Sequence, residues 1–216
     1  IQEDDKEEFI GYDFTESDVK ITRYREVLEK GKKTYHLVFN FTPFYPEGGG
    51  QIGDAGYIDD GENKLSIIDT KKENDLIIHF SKELPKNINA SFKAVVNASK
   101  RELIANNHTA THLLHQALRE VLGEHVEQKG SLVNDKHLRF DFSHFEKLSK
   151  DDIVDIQQLV NNRIRASIQL EEFRNIPLNK AKEEGAMMLF GEKYGEVVRM
   201  IKFEDSIELC GGIHVN

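Results

Sequence analysis

The chain has 216 residues, of which 38% are hydrophobic and 31% charged, and its formal net charge at pH 7 is −9. This length allows one sizeable core or two modest ones, and no apolar run approaches the roughly 20 residues that a membrane-spanning helix needs. The net negative charge argues against a nucleic acid that is bound only through neutralisation of its phosphates. The chain has a single cysteine, so it cannot form an internal disulfide. An acidic beginning in place of a signal peptide predicts a cytoplasmic location and no membrane partner.

The net charge is unevenly distributed along the chain. Acidic residues are concentrated in the first thirty positions, whereas a basic set of side chains surrounds the histidines of the second half. The basic set comprises Lys100, Arg101, Arg119, Lys129, Lys136 and Arg139. These cations are either ordinary solvated surface or contacts for phosphates, and the second possibility brings a nucleic-acid partner back into consideration.

The first half of the chain, residues 1–97, is predicted to be rich in strands. Short β-branched or aromatic runs, such as residues 35–41 and 76–80, alternate with turn signals such as Asp60-Gly61. Since no long helical pattern separates these runs, the spacing predicts a small β-barrel-like subdomain or a sandwich.

The second half, residues 98–216, is predicted to be an α+β unit with an antiparallel sheet and two long helices. After Asn97 the apolar residues follow the three- and four-residue spacing of an amphipathic helix, which Gly123 ends. A second helix is indicated by a capping box, in which Ser149 and Asp152 cap each other's backbone. Strands are predicted at residues 126–133, 137–142, 170–176, 196–203 and 207–209.

Two residue pairs, each spaced four apart, predict a zinc site. His108 and His112 lie on one face of the first helix, roughly 120–180° around from the apolar Leu103, and we expect this face to point away from the main core. Cys210 and His214 enclose two glycines, whose backbone freedom allows a thiolate and an imidazole to converge. Two alternatives stay open: the histidines are ordinary core or surface residues, or four protein ligands make the zinc purely structural.

The residues around these pairs limit the chemistry. Thr109 stands where a zinc peptidase of the HExxH type has its glutamate, and the triglycine at residues 48–50 lacks the Lys-Ser/Thr of a nucleotide-binding loop, so neither proteolysis nor ATP binding is expected. Assigning Cys210 to metal leaves no catalytic triad and no evident general base. Thr111 and Gln128 offer uncharged polar groups that suit a small polar ligand, although the first could simply flank the core and the second could be an exposed strand residue.

Six segments resemble, in order along the chain, the editing domain of the alanyl-tRNA synthetase family. They are residues 42–54 (TPFYPEGGGQIGD), 107–115 (NHTATHLLH), 128–133 (QKGSLV), 138–142 (LRFDF), 186–194 (AMMLFGEKY) and 210–215 (CGGIHV). The glycine-rich first segment favours this family over threonyl-tRNA synthetase, which has related histidine and cysteine pairs. Ile213, where the family usually has threonine, argues against a hydroxyl function at that position. In this family other regions lie on both sides of the editing domain, so we expect the chain to be the middle part of a longer protein.

The resemblance implies zinc-dependent hydrolysis of mischarged Ser-tRNA(Ala) and Gly-tRNA(Ala) at the aminoacyl ester. A pocket sized for alanine rejects glycine or an added hydroxyl by only about 10–200-fold, which is why a second, hydrolytic site is needed. The residues that the resemblance assigns are the ligands of one Zn²⁺ per chain, His108, His112, Cys210 and His214, and the catalytic-pocket residues Thr111 and Gln128.

The implied partners are the acceptor end of tRNA(Ala), carrying Ser or Gly, and the rest of the full-length synthetase. The ATP-binding site is expected in that remaining part of the synthetase, and no DNA partner is expected. Two alternatives to an editing domain stay open. One is a non-catalytic, zinc-stabilised tRNA-binding module. The other is a free-standing trans-editing deacylase, because such proteins share the fold.

Overall fold

The computed structural model describes residues 7–29, 31–188 and 194–215, so residues 189–193 of the segment 186–194 lie outside the described part. In this part the strands are β1 (Glu8–Phe9), β2 (Glu16–Glu29), β3 (Lys32–Phe39), β4 (Phe41–Thr42), β5 (Gly56–Asp59), β6 (Lys64–Ile67), β7 (Asp69–Glu73), β8 (Leu76–Ser81), β9 (Ser91–Val96), β10 (Gln128–Val133), β11 (Leu138–Phe142), β12 (Glu171–Pro177), β13 (Val197–Phe203) and β14 (Ser206–Leu209). The helices are α1 (Ala98–Leu122), α2 (Lys150–Arg165) and α3 (Leu178–Glu183). The predicted α+β class is confirmed.

The chain forms two compact units. The first comprises the residues up to Gly48 together with Ile52–Glu102, and the second comprises Gly49–Gln51 together with the residues from Leu103 onwards. The division into functional subdomains between residues 97 and 98 stays a prediction.

The first unit is built on a seven-stranded antiparallel sheet in the order β6-β5-β9-β2-β3-β8-β7. Alternation along β9 buries Phe92, Ala94 and Val96 on one face and turns the residues between them outward, as period-two patterning requires. These three side chains share a core cluster with Val19, Leu37, Phe39, Phe44, Ile58, Leu65 and Ile67.

The sheet of the first unit does not close into a barrel in the part of the chain that the structure describes. Closing the sheet into a barrel would require its two end strands, β6 and β7, to pair with each other. Only Ile68 separates them, and one residue is too few for the two-residue turn of a tight hairpin. Strand β7 instead pairs with β8, and Ile68 also bonds towards β8, because its N–H donates to Phe80 O at 2.8 Å. The prediction of a barrel is wrong because a pattern of short strands does not specify which strand ends pair.

A buried ion pair between Arg101 and Asp54 lies in the interior of the first unit. Arg101 and Asp54 are 5% and 2% exposed, and Arg101 Nε lies 3.1 Å from Asp54 Oδ2. Arg101 also donates to the carbonyl oxygens of Gly11 and Pro43, and Asp54 accepts the Tyr45 N–H. The guanidinium is therefore not available to a phosphate, and its inclusion among the candidate phosphate contacts is wrong.

The second unit combines the β10–β11 hairpin, the three-stranded antiparallel sheet β12-β13-β14 and helices α2 and α3. The capping box of α2 is confirmed, since Ser149 Oγ accepts the Asp152 N–H at 3.0 Å and Asp152 Oδ2 accepts the Ser149 N–H at 2.8 Å. On α2, Ile156 is buried, whereas Ile153 and Ile164 are about half exposed. The two long helices and the antiparallel sheet are thus present as predicted, and α3 adds a short third helix among the described residues.

The histidine face of α1 is buried, which contradicts the expectation that it points away from the core. His108, His112 and His115 are 3–4% exposed, whereas the apolar Leu103 is 50% exposed. Strand β13 contributes to the cover, with the ring centroids of Phe203 and His112 6.5 Å apart. Helix α1 is 25 residues long, but no described helix is both long and apolar enough to cross a membrane.

Candidate metal centre

The four predicted ligands come together at one place in the second unit. The ligand atoms of His108, His112, Cys210 and His214 all lie within 4.8 Å of one another, and the three histidines are buried. Cys210 Sγ is 3.5 Å from His108 Nε2 and 3.3 Å from His214 Nε2. We call these four residues the four-ligand cluster.

Each pair of the cluster is positioned by a different local structure. Helix α1 carries His108 and His112 one turn apart, with their ring centroids separated by 5.5 Å. The segment that carries Cys210 and His214 follows β14 and passes so close to α1 that a Cβ at Gly212 would lie 1.9 Å from the His108 ring. A glycine is therefore required at this position. The Gly212 N–H also donates to Cys210 Sγ at 3.3 Å.

The electrostatics of the cluster favour a cation among its donors. Burial opposes ionisation of the Cys210 thiol, but the imidazoles of His108, His214 and His112 together lower its pKa well below the ordinary value. Burial lowers the pKa of His214 to about 3. Burial would also lower the pKa of His112, but Glu208 and then Cys210 outweigh it and raise this pKa to about 9. The cluster thus pairs an ionised thiol with a positive charge that a bound divalent cation can replace.

The donor set fits a borderline-soft transition metal. Three imidazoles and a thiolate suit zinc and its chemical neighbours, whereas hard cations such as Ca²⁺ prefer oxygen ligands. In addition, His112 Nδ1 is buried and has no hydrogen-bond partner among the described residues. Such an unpartnered buried group costs about 1–3 kcal/mol, which a ligand would recover. The cluster could therefore hold a metal ion, and its assignment to zinc stays a prediction.

Two residues to which the sequence interpretation gave no role at the metal site, Thr109 and Glu208, support the cluster. Thr109 Oγ1 lies 3.2 Å from His214 Nδ1. Glu208 is 6% exposed, and its carboxylate lies 3.1 Å from His115 Nδ1 and 3.8 Å from His112 Nε2. The Thr109 hydroxyl is a hydrogen-bond partner of the kind that orients a ligand imidazole, whereas Glu208 lies within ion-pair distance of the ligand His112. The position of Glu208 on β14, two residues before a predicted ligand, places it on the same face and was a usable signal.

A small cavity of about 50 Å³ lies beside the cluster in the second unit. Both predicted pocket residues, Thr111 and Gln128, line it. The cavity is also lined by three members of the cluster, His108, His112 and Cys210. The structure therefore brings the predicted pocket residues and the predicted metal ligands to one cavity.

Hydrogen bonds to the protein engage the Thr111 hydroxyl proton and one N–H of the Gln128 amide. Thr111 is 4% exposed, and its hydroxyl donates to Asn107 O at 2.8 Å. The Gln128 Nε2 group donates to Ser131 Oγ at 3.2 Å. Thr111 therefore offers acceptor oxygen to a bound molecule, whereas Gln128 offers its carbonyl oxygen and a second N–H. The acceptor oxygens suit an ammonium or hydroxyl group.

Comparison with known proteins confirms the resemblance to alanyl-tRNA synthetases. Residues 1–101 match the family model described as class II tRNA synthetases (A). The chain is 58% identical to the alanine-tRNA ligase of Christiangramia forsetii over 98% of this chain, and 56% identical to that of Bacteroides thetaiotaomicron over 96%. It is 53% identical to that of Cytophaga hutchinsonii over 100% of this chain. It spans about a quarter of the length of these relatives, 24% or 25%.

Proposed function

Because the chain belongs to the alanine-tRNA ligase family, we propose that it is the editing region of such a ligase, a zinc-dependent deacylase of Ser-tRNA(Ala) and Gly-tRNA(Ala). The observation that carries this proposal is the cavity that joins metal donors to the uncharged polar residues Thr111 and Gln128. We also propose that its partners are the acceptor end of tRNA(Ala) and the rest of the synthetase, and that it acts in the cytoplasm.

The four-ligand cluster would hold the zinc ion. When bound, zinc supplies a Lewis acid that can polarise an oxygen ligand in the cavity. The lowered pKa of Cys210 then serves metal binding, because the thiolate is the form that ligates. A thiolate engaged in this way is not an independent nucleophile, so a Cys-dependent covalent route is not proposed.

Thr111 and Gln128 would recognise the amino acid of the mischarged tRNA. The Thr111 proton is engaged by the backbone, so this side chain offers oxygen lone pairs and a methyl group to the cavity. The Gln128 carbonyl oxygen can accept from the ammonium or hydroxyl group of a seryl ester. A site that bonds a substrate hydroxyl rejects the analogue without it far better than an apolar pocket rejects an added hydroxyl. For a seryl ester, a small polar cavity therefore complements a synthetic site that is sized for alanine.

Hydrolysis at this site would depend mainly on orientation. The ester of an aminoacyl-tRNA is already activated, and holding it against a water molecule removes much of the entropic barrier. Glu208 lines the same cavity, but its Oε1 is occupied by the His115 imidazole. We therefore assign Glu208 to the support of the cluster and not to proton transfer.

Incubating the zinc-loaded protein with Ser-tRNA(Ala) and with Ala-tRNA(Ala) tests the proposal. We expect serine release well above spontaneous hydrolysis and faster than alanine release, and we expect the Cys210→Ala variant to lose it. A non-catalytic, zinc-stabilised tRNA-binding module would bind both tRNAs and release neither amino acid. Protein that contains zinc, binds tRNA and leaves the seryl ester intact would therefore be assigned to that alternative.

A further inference from the structure

Gln51 ends the segment Gly49–Gln51, which belongs to the second unit. Its side chain is fully buried, at 0% exposure. Its carbonyl oxygen Oε1 lies 2.9 Å from the Ile213 backbone nitrogen and 2.8 Å from His108 Nδ1. One amide oxygen thus contacts a ligand on α1 and also the backbone of the segment that carries the other ligand pair.

The Ile213 contact fixes the orientation of the Gln51 amide. A backbone N–H can only donate, so the Gln51 atom that faces it must be the carbonyl oxygen. That oxygen can only accept, so His108 must present Nδ1 as N–H, and the neutral ring then carries its lone pair on Nε2. Nε2 is the His108 atom that lies 3.5 Å from Cys210 Sγ. The contact therefore selects the tautomer that can bind metal.

We propose that Gln51 is a positioning residue of the metal centre, which holds His108 in the metal-binding tautomer and ties it to the backbone at Ile213. The inference rests on the proposed zinc site. Ligand imidazoles generally donate their second N–H to an acceptor of this kind, and loss of the acceptor weakens metal binding about 10–100-fold.

The backbone at Gln51 is anchored independently of the ligands. Gly50 O accepts the Val133 N–H at 2.7 Å, and Gln51 forms a parallel bridge with Val133 on β10. Gly50 has a φ of +79°, and a Cβ there would lie 2.1 Å from Ser131 Oγ, so only glycine allows the segment to approach β10 this closely. Because β10 holds its backbone, the Gln51 amide can orient His108 instead of following it.

Metal affinity measures this role without reference to deacylation. The apparent dissociation constants of Zn²⁺ and Co²⁺ would be determined for the metal-stripped protein by competition with a chromophoric chelator. Gln51→Met keeps the side-chain length but removes the acceptor, and we expect weakening of about 10–100-fold together with a changed visible spectrum of the Co²⁺ protein. Gln51→Glu keeps an acceptor oxygen, and we expect it to retain most of the affinity. Gln116→Met is the matched control, because Gln116 lies on α1 and bonds to Glu120, so its affinity should be unchanged.

Equal Zn²⁺ affinity in Gln51→Met and the unmodified protein would overturn the inference, and so would an equally large loss in Gln51→Glu. If Gln51→Met does not fold, the unmodified metal-free protein decides the question through the tautomer of His108. Long-range proton-nitrogen NMR correlations should show a neutral ring with its proton on Nδ1, and a proton on Nε2 would contradict the inference. Failure of the unmodified protein to bind Zn²⁺ would instead remove the proposed function, whereas binding that is indifferent to Gln51→Met removes this inference alone.

Discussion

Lowering the pH from 7 to 5 should weaken the first unit through His79. This side chain is fully buried, and burial, partly offset by the Leu37 carbonyl, lowers its pKa to about 3. Nδ1 lies 3.1 Å from Leu37 O, to which it must donate, and Nε2 lies 2.7 Å from Thr42 Oγ1, from which it then accepts. The neutral ring satisfies both neighbours, so a second ring proton would be a charge buried away from water.

The size of the effect follows from the unfolded state, in which the pKa of an imidazole is about 6.5. The unfolded chain takes up a proton as the pH falls through 6.5, whereas folded His79 does so only near pH 3. The stabilisation is therefore complete above pH 6.5 and is lost progressively below it. At pH 5, about 1.5 pH units below the unfolded pKa and at about 1.4 kcal/mol per unit, the loss relative to pH 7 is about 2 kcal/mol.

Urea unfolding of the unmodified protein and of His79→Phe between pH 7 and pH 5 measures this contribution. The variant should be less stable at every pH, because Thr42 and Leu37 lose their partner. The difference in free energy of unfolding between the two proteins should shrink by about 2 kcal/mol as the pH falls to 5. His137→Gln is the matched control, because the exposed His137 side chain is solvated in the folded and in the unfolded chain. Its difference from the unmodified protein should therefore not change with pH. A difference that stays constant over this range would refute the assignment of His79 as a buried neutral base.

Substitutions at the cluster, the cavity and the buried ion pair have separable expected outcomes. Metal analysis should find about one zinc per chain, and Cys210→Ala should lose metal and deacylation together; full activity without metal would contradict the zinc role. Thr111→Val removes the hydroxyl but keeps the shape, so it should change the ratio of Ser-tRNA(Ala) to Ala-tRNA(Ala) hydrolysis at unchanged zinc content, and an unchanged ratio would exclude Thr111 from selection. Gln128→Ala should raise the barrier to seryl-ester hydrolysis by about 1–3 kcal/mol, the cost of a lost buried hydrogen bond, and unchanged rates would remove it from the site. Arg101→Met should lower the free energy of unfolding by about 3–5 kcal/mol, because it leaves Asp54 buried and unpaired. It should not alter the salt dependence of tRNA binding, and a weaker dependence would return Arg101 to the phosphate contacts.

Local patterns account for the sequence predictions that the structure confirms. The capping box of Ser149 and Asp152 depends on four consecutive residues and on the unpaired N–H groups of a helix start. The two long helices likewise follow from apolar spacing within single segments. Geometry inside one element decides both features, so they are predictable without knowledge of the fold.

The errors arise from contacts between residues that are distant in the sequence. Arg101 was predicted to be a surface cation, because its buried partner Asp54 lies 47 residues earlier in the chain. Gln51 was assigned no role from the sequence, because its partner His108 lies 57 residues later in the chain. Periodicity cannot distinguish a charge or an amide that has a buried partner from one that is solvated, because both are compatible with the same helix or turn.

The two predictions made for α1 were physically incompatible, and the structure contradicts the one that turned the histidine face away from the core. A metal held by four protein ligands must be surrounded by them, so the face that carries His108 and His112 has to be covered by the segment that carries Cys210 and His214. Polar side chains can be buried when they are paired, and a ligand spacing is itself evidence of pairing. The HxxxH spacing should therefore have predicted a second, polar buried face on α1 in addition to the apolar one. The burial of His108 and His112 at 3% exposure each is the consequence.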